Sequence, residues 1–175
     1  VYDIVQAVKN DGVRVIFLDD RGMNNKLKPM PMLMVLGRLN QVLLDEGVRS
    51  LTSIVAISGE IWDSHSSACM LGFGASAIYP YLLYASVLDE CKKSEFGAYE
   101  VKTRLKNVNH SLCQGLLKIM SKMGISTIAS YRNSALFDVL GLSSVMVNEC
   151  FGSAYALIGG LGYEDIEERI LRNHA

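Results

Sequence analysis

The sequence predicts an α/β fold with a mainly parallel sheet of about five strands, because short apolar runs alternate with segments of helical periodicity. Parallel strands need crossover connections of this kind, and such connections are right-handed. The length of 175 residues suits one domain, and a content of 50% hydrophobic residues is enough for one core. The sheet is therefore expected to be either open or curled as part of a barrel.

The first part of the chain predicts a starting helix, two strands and a second helix. Val13–Leu18 is an apolar run rich in β-branched residues, which is typical of a buried parallel strand. After a loop, Pro31 opens a helix that ends before Gly47, because apolar residues recur there at helical spacing. Leu51–Ile57 is the second predicted strand.

The middle of the chain predicts three helices and one short strand. In order, these are a helix over Trp62–Leu71, a strand over Ser76–Tyr79, a helix over Tyr81–Cys91 and a helix over Tyr99–Met123. The last helix is the longest because its apolar residues form a single stripe. Gly124 is expected at its C′ position, where glycine relieves backbone strain.

The last third of the chain predicts two further strands and two helices. They are a strand over Ile125–Ser130, a helix over Ala135–Leu140, a strand over Val145–Asn148 and a helix over Glu164–Arg172. The glycine-rich segment Ile158–Gly162 is interpreted as a tight turn or, alternatively, as a backbone cradle for a phosphate before the last helix.

Polar side chains follow the predicted strands, and the carboxyl ends of parallel strands share the edge at which ligands bind. The candidate strand-end face consists of Asp20 and Arg21 after the first strand, Glu60 after the second, and Tyr131 and Arg132 after the fourth. The same reasoning adds Asp19, Ser58, Asn133, Asn148 and Glu149. The alternative is that these residues are helix caps, turn residues or ion-pair partners, for example Asp20 with Arg21 or Arg132.

Composition excludes several classes of function. The chain has 17 Lys and Arg against 18 Asp and Glu, which is not the balance of a nucleic-acid binder, and no apolar run is long enough for a membrane span. The four cysteines stand singly, as is typical of free thiols in the cytoplasm or an organelle stroma. No catalytic residue, cofactor site or metal site is predicted, because none of the familiar spacings occurs.

Gly115–Ser126, with the sequence GLLKIMSKMGIS, resembles a segment in the central domain of the glutamate synthase large subunit. Five other stretches resemble that family in the same order: LDDR at Leu18–Arg21, PMPML at Pro29–Leu33, SGE at Ser58–Glu60, GFGASAIYPYL at Gly72–Leu82, and IGGLG at Ile158–Gly162. The chain departs from the family pattern at Arg38–Gln41 and Arg132–Ala135, so a divergent member is expected.

The resemblance implies a fold like an incomplete (β/α) barrel and a connecting role. The chain would be the later part of a central domain that links a glutamine amidotransferase domain to an FMN synthase domain of the same polypeptide and contributes to ammonia transfer. The whole enzyme would make glutamate from glutamine and 2-oxoglutarate with FMN and an iron–sulfur cluster. A smaller electron-donating subunit or ferredoxin would supply its electrons.

Two consequences of the resemblance concern these 175 residues. The chain starts at Val1 and is expected to be an excerpt of a longer polypeptide, with no cofactor site and no activity of its own. The first candidate for a domain interface or ammonia channel is the end of the long helix: Lys118, Met120, Ser121, Lys122 and Met123.

Two other functions remain open at this point. One is a stand-alone flavin- or phosphate-binding domain acting at its strand carboxyl edge, with Arg132, Lys122 and the Gly159–Gly160 turn contacting the anion. The other is a docking module that acts through residues 92–122, where basic residues outnumber acidic ones. A solvated helix face explains the same charges.

Overall fold

The structure, a computed structural model, describes residues 1–24, 26–134, 136–152 and 154–174. These residues form eight α-helices and five short β-strands. In chain order, the elements are α1 (Tyr2–Asn10), β1 (Val15–Asp19), α2 (Met32–Asp45), a 3₁₀ turn (Arg49–Leu51), β2 (Ser53–Ile57), α3 (Ser64–Gly72), β3 (Ala77–Tyr79), α4 (Tyr81–Lys93), α5 (Ala98–Lys122), α6 (Ile128–Tyr131), β4 (Asp138–Leu142), α7 (Ser144–Cys150), β5 (Tyr155–Leu161) and α8 (Tyr163–Asn173).

The strands are parallel to their neighbours but divide into two sheets. The first has the order β1-β2-β3, with Val15 opposite Ser53 and Val55 opposite Ala77. The second pairs β4 with β5 and contains two shifts of register. The predicted α/β class with parallel strands is confirmed, and the strands of the described residues form no closed barrel. The fold is an incomplete α/β arrangement.

The elements predicted before residue 124 are confirmed to within two residues at each end. Gly124 has a φ of +72° and occupies the C′ position of α5. The Gly124 amide donates to the Ser121 carbonyl (3.1 Å) and the Ile125 amide donates to the Met120 carbonyl (3.0 Å). These two bonds form a Schellman motif, which ends the helix and satisfies its last carbonyls.

Three of the helices and strands predicted after residue 124 are wrong. The segment predicted as a strand over Ile125–Ser130 contains α6 instead, and the Thr127 hydroxyl caps this helix by accepting from the Ser130 amide (3.3 Å). The segment predicted as a strand over Val145–Asn148 is α7, capped by Ser143, whose hydroxyl accepts from the Met146 amide (3.3 Å). A capping hydroxyl decides in favour of a helix where a short apolar run suits either structure.

The third wrong prediction is the helix over Ala135–Leu140, of which Ala135 lies outside the described residues. The chain runs as β4 from Asp138, and β4 pairs with β5. Gly159 and Gly160, predicted to form a turn, lie within β5. The final helix is confirmed as α8.

Helix α2 connects two hydrophobic clusters. Leu36, Leu39 and Leu43 are fully buried against the inner face of the three-stranded sheet, where Ile54 also has no exposed surface. Met34 instead packs with the buried residues of α7. Full burial of one such side chain stabilises the fold by about 1.5–3 kcal/mol, so α2 contributes more than any cap.

Two glycines allow helices to approach each other closely. A Cβ atom added at Gly37 would overlap the carbonyl oxygen of Cys150, at the end of α7. A Cβ atom at Gly115 would overlap the Cβ and Oγ atoms of Ser64, at the start of α3. Gly115 opens the segment that carries the glutamate synthase resemblance, and any side chain at this position would overlap α3.

The outer face of the three-stranded sheet and the two-stranded sheet carry exposed apolar residues. On β1, buried and exposed residues alternate, and Phe17 on the outer face is 63% exposed. All seven residues of β5 are exposed, including Leu157 at 73%. No helix among the described residues is both long and apolar enough to cross a membrane.

Candidate functional site

The carboxyl edge of the three-stranded sheet gathers polar groups from three strand ends. Asp20 follows β1, and its carboxylate accepts hydrogen bonds from the Ser58 hydroxyl (2.7 Å) and the Gly59 amide (3.1 Å) after β2. Tyr81, which follows β3, lies close to Asp20 and Gly59, and burial together with the neighbouring Asp20 carboxylate raises the pKa of Tyr81 to about 12. Asp20 therefore bonds the end of β2 directly and lies beside the residue that follows β3.

Glu60 lies beside this cluster and connects it to α2. Its carboxylate accepts a hydrogen bond from the Met32 amide (2.9 Å), the first residue of that helix. A negative charge is favourable at a helix N-terminus. Desolvation raises the pKa of Glu60, the bond from Met32 opposes that shift, and the nearby charge of Asp20 adds to it.

Arg21 pairs with Asp19, not with Asp20. Its Nε atom donates to Asp19 Oδ1 (2.9 Å) and its Nη2 atom to Asp19 Oδ2 (2.6 Å). The two side chains are exposed, and the hydrogen bond from Arg21 lowers the pKa of Asp19 to about 2. The predicted alternative in which Asp20 pairs with Arg21 or Arg132 is wrong, because the Asp20 oxygens face the strand ends.

Tyr131 and Arg132 do not join the carboxyl edge. Because the preceding segment forms α6 and not a strand, the chain arrives at the other end of the sheet. Arg132 donates to the Ser76 hydroxyl (3.1 Å), just before the start of β3. Tyr131 is fully buried in the core near Phe137, and its hydroxyl has no hydrogen-bond partner among the described residues. Their predicted placement after a fourth strand is therefore wrong.

The remaining predicted strand-end residues also lie elsewhere. Asn133 follows Arg132 at the opposite edge, while Asn148 and Glu149 belong to α7. The Glu149 carboxylate accepts a hydrogen bond from the Tyr163 hydroxyl (2.6 Å), which links α7 to α8.

The predicted interface segment at the end of α5 divides into a buried and an exposed part. Met120 is buried in the core, whereas Lys118, Ser121, Lys122 and Met123 are exposed. The segment continues into the cap of α6 and does not lead into a strand as predicted. The three polar side chains share the outer surface of the helix end.

The glycine-rich segments do not provide a phosphate cradle. A Cβ atom at Gly160 would overlap the backbone of Gly141, so this glycine allows β4 and β5 to pair closely. At Gly74, which has a φ of +116°, the same atom would overlap the side chain of Asn40. The anion site predicted for a stand-alone flavin- or phosphate-binding domain is therefore wrong, since Arg132 and the Gly159–Gly160 strand do not meet at the carboxyl edge.

The cysteines and histidines of the described residues do not fit a metal or an iron–sulfur cluster. No three His, Cys, Asp or Glu side chains lie together as a ligand set in the described part of the chain. Cys69 lies 3.6 Å from His65 Nε2, but burial raises the pKa of this thiol to about 11, so it is not a ready nucleophile.

The carboxyl-edge cluster is therefore built to hold strand ends, and its polar groups are mostly used by one another. Sequence reasoning found Asp20, Ser58 and Glu60 but missed Tyr81. The signal was available, because Tyr81 follows the third predicted strand across Pro80. Sequence reasoning also missed Arg49, for which no local pattern exists.

Comparison with known proteins gives consistent matches. A family model described as "Glutamate synthase central domain" matches residues 1–143. The chain is 36% identical over 166 residues to the NADPH glutamate synthase large chain of Bacillus subtilis (strain 168), covering 94% of this chain and 11% of that protein. It is 35% identical over 175 residues to the ferredoxin-dependent glutamate synthase of Cyanidium caldarium, covering 94% of this chain and 11% of that protein.

A third relative is the NADH glutamate synthase of Schizosaccharomyces pombe (strain 972 / ATCC 24843). The identity is 33% over 159 residues, which cover 90% of this chain and 8% of that protein. The chain thus spans about a tenth of the length of these relatives.

Proposed function

The chain belongs to the glutamate synthase central domain family, and from this premise we propose that it is the connecting domain between a glutamine amidotransferase domain and an FMN synthase domain of one polypeptide. In that position it contributes to the transfer of ammonia from the first to the second. Residues 1–175 then act as one α/β domain within a larger enzyme.

The proposed enzyme forms glutamate from glutamine and 2-oxoglutarate, an oxidoreductase reaction that serves ammonia assimilation. We place FMN and the iron–sulfur cluster in other parts of the polypeptide; in the described residues, no three His, Cys, Asp or Glu side chains lie together as a ligand set for a cluster. Its electrons come from a smaller subunit or from ferredoxin, and the relatives carry names of both NADPH and ferredoxin types. The cytoplasm is the proposed location, with an organelle stroma as the alternative.

The observation that carries the connecting role is the uncovered apolar surface of both sheets. Phe17 and Tyr79 are exposed on the three-stranded sheet, and Leu140, Leu157 and Ile158 are exposed on the two-stranded sheet. Monomeric proteins seldom expose contiguous apolar patches above a few hundred Å², and larger patches mark interaction sites. Neighbouring domains of the same polypeptide would cover these faces.

A conduit for ammonia needs tight contacts, because a small neutral molecule escapes wherever the walls separate. We therefore expect a charged group on the outer sheet face to open a leak without damaging either active centre. In the full-length protein, Phe17→Glu should lower glutamate formation from glutamine about tenfold, the factor that a free-energy difference of about 1.4 kcal/mol produces. Glutamine hydrolysis should continue, with the ammonia appearing in solution.

Tyr99→Glu is the matched control, since Tyr99 is an aromatic residue of α5 that is 83% exposed and lies outside both sheets. The measurement is the ratio of free ammonia to glutamate formed at saturating glutamine. An unchanged ratio in a folded Phe17→Glu protein would refute the role of the sheet face in ammonia transfer.

The end of α5 offers a second test of the connecting role. Lys118 and Lys122 are four residues apart and exposed, and Lys102 and Lys106 form an equivalent exposed pair on the same helix. Replacing Lys118 and Lys122 by Glu should raise the ratio of free ammonia to glutamate, because a domain interface tolerates charge reversal poorly. The Lys102 and Lys106 double variant should behave like the unmodified protein. Equal ratios for the two double variants would refute the assignment of the α5 end to a domain interface.

A further inference from the structure

The amino edge of the three-stranded sheet, at the opposite end from Asp20, contains a polar pocket with two arginines. The pocket has a volume of about 370 Å³, and its polar lining consists of Arg49, Ser50, Thr52, Ser53, Arg132 and Asn133. No Asp or Glu lines it, and neither arginine pairs with an acid among the described residues. We propose that this pocket binds a small phosphate-like oxyanion, either inorganic phosphate or the phosphate group of a small phosphomonoester.

Arg49 is held in the pocket by neutral acceptors only. Its Nε atom donates to Asn40 Oδ1, its Nη1 atom to the Thr52 carbonyl and its Nη2 atom to the Gly74 carbonyl, each at 2.6 Å. A guanidinium group keeps its proton in proteins, so its charge persists when it is buried. Burial and the nearby charge of Arg132 both lower the pKa of Arg49.

Arg132 is placed beside Arg49 by a chain of hydrogen bonds that joins distant segments. The Asn40 amide that accepts from Arg49 donates in turn to Asn133 Oδ1 (2.7 Å), and Arg132 precedes Asn133. Asn133 has a φ of +59°, a conformation that asparagine tolerates better than most residues. The two arginines are therefore positioned before any ligand arrives.

The donors of this pocket suit a phosphate group. Three of the five N–H donors of Arg49 and one of those of Arg132 are used within the protein. The hydroxyl-bearing side chains of Ser50 and Ser53 line the same pocket, whereas the Thr52 hydroxyl is buried without a partner and is not accessible from it. Paired guanidinium forks and hydroxyls are the groups that bind phosphate oxygens in proteins, and burial of an unpaired charge is costly.

The first measurement is the thermal stability of the 175-residue protein. Its Tm in sodium phosphate is compared with its Tm in sodium chloride at equal ionic strength. For a dissociation constant near 1 mM, about 20 mM phosphate should raise Tm by about 4–7 °C above the chloride control. Arg132→Gln should weaken phosphate binding at least tenfold by titration calorimetry. Arg169→Gln, which removes an exposed arginine on α8, should leave the binding unchanged.

Inorganic phosphate and glycerol 3-phosphate, titrated separately, distinguish the two sources of the phosphate group by their relative affinities. If Arg132→Gln fails to fold, Arg132→Lys keeps the charge but loses the fork, and a fivefold or larger loss of affinity is expected. The proposal is overturned if neither phosphate compound raises Tm beyond the chloride control or binds in calorimetry. That result is expected if an acidic segment of a neighbouring domain fills the pocket instead. Equal binding by the unmodified protein, Arg132→Gln and Arg169→Gln would overturn it as well. These outcomes do not depend on the ammonia assays.

Discussion

Replacing Gly115 by Ala tests whether the most family-specific segment is determined by packing. In an unobstructed helix, this change stabilises the chain by about 1 kcal/mol, because alanine has the higher helix propensity. At Gly115, however, the new methyl group would overlap the Cβ and Oγ atoms of Ser64, where α3 crosses α5. Overpacking of this kind costs about 1–3 kcal/mol. The net expectation is a destabilisation of about 0–2 kcal/mol.

A second substitution separates the two contributions. Ser64→Gly removes the atoms that the methyl group would overlap, so Gly115→Ala should stabilise the Ser64→Gly chain by about 1 kcal/mol. The two changes should therefore show a coupling energy of about 1–3 kcal/mol in a double-mutant cycle. The variant Ser64→Gly alone is the reference for the loss of the serine at the start of α3.

The assay is urea unfolding followed by circular dichroism and by the fluorescence of Trp62, the single tryptophan of the chain, which lies two residues before Ser64. Linear extrapolation gives the free energy of unfolding for the four proteins of the cycle. Stabilisation by Gly115→Ala in the presence of Ser64, or a coupling energy below about 0.5 kcal/mol, would refute the close crossing of α3 and α5.

Three further predictions concern buried and titrating groups. Tyr131→Phe should leave the free energy of unfolding unchanged or raise it by up to about 1 kcal/mol, because the lost hydroxyl is buried without a partner; destabilisation in urea unfolding would contradict this. Because the pKa of Glu60 is raised above 4.5, the stability that its protonated form provides is lost as the pH rises through that raised value. The stability of Glu60→Gln relative to the unmodified chain should therefore increase from pH 4.5 to pH 7, and a flat difference would contradict the assignment. At pH 8, an aromatic disulfide reagent should modify exposed Cys113 rapidly and half-buried Cys69, whose pKa is about 11, much more slowly; equally fast loss of both thiols, measured by mass spectrometry, would contradict the raised pKa of Cys69.

The accuracy of sequence-based prediction depends on how strongly each segment signals its structure. Helices α2 and α5 have long apolar stripes and clear end signals, and both are confirmed. The segments around Thr127 and Ser143 contain only four to seven helical residues, too few for periodicity to separate helix from strand. There the capping hydroxyls decided the structure, and they are visible in the sequence but weak as signals.

The candidate site was predictable where it depends on strand ends alone. Asp20, Ser58 and Glu60 meet as expected, because the order β1-β2-β3 brings the carboxyl ends of neighbouring strands together. Tyr131 and Arg132 were misplaced with the strand that was expected to carry them. A wrong element type moves a side chain to the opposite end of a sheet, which is a larger error than a shifted boundary.

By itself, the sequence determined the α/β class, the first three strands and the family, because these depend on local periodicity and on ordered segments. Only the tertiary structure decided which distant groups meet. The contact between Asn40 and Asn133 joins residues 93 positions apart, and it places Arg132 beside Arg49 through side-chain hydrogen bonds that no local pattern encodes. The exposure of Phe17 is likewise a tertiary property, since an apolar residue on a strand is buried or exposed according to what covers its sheet.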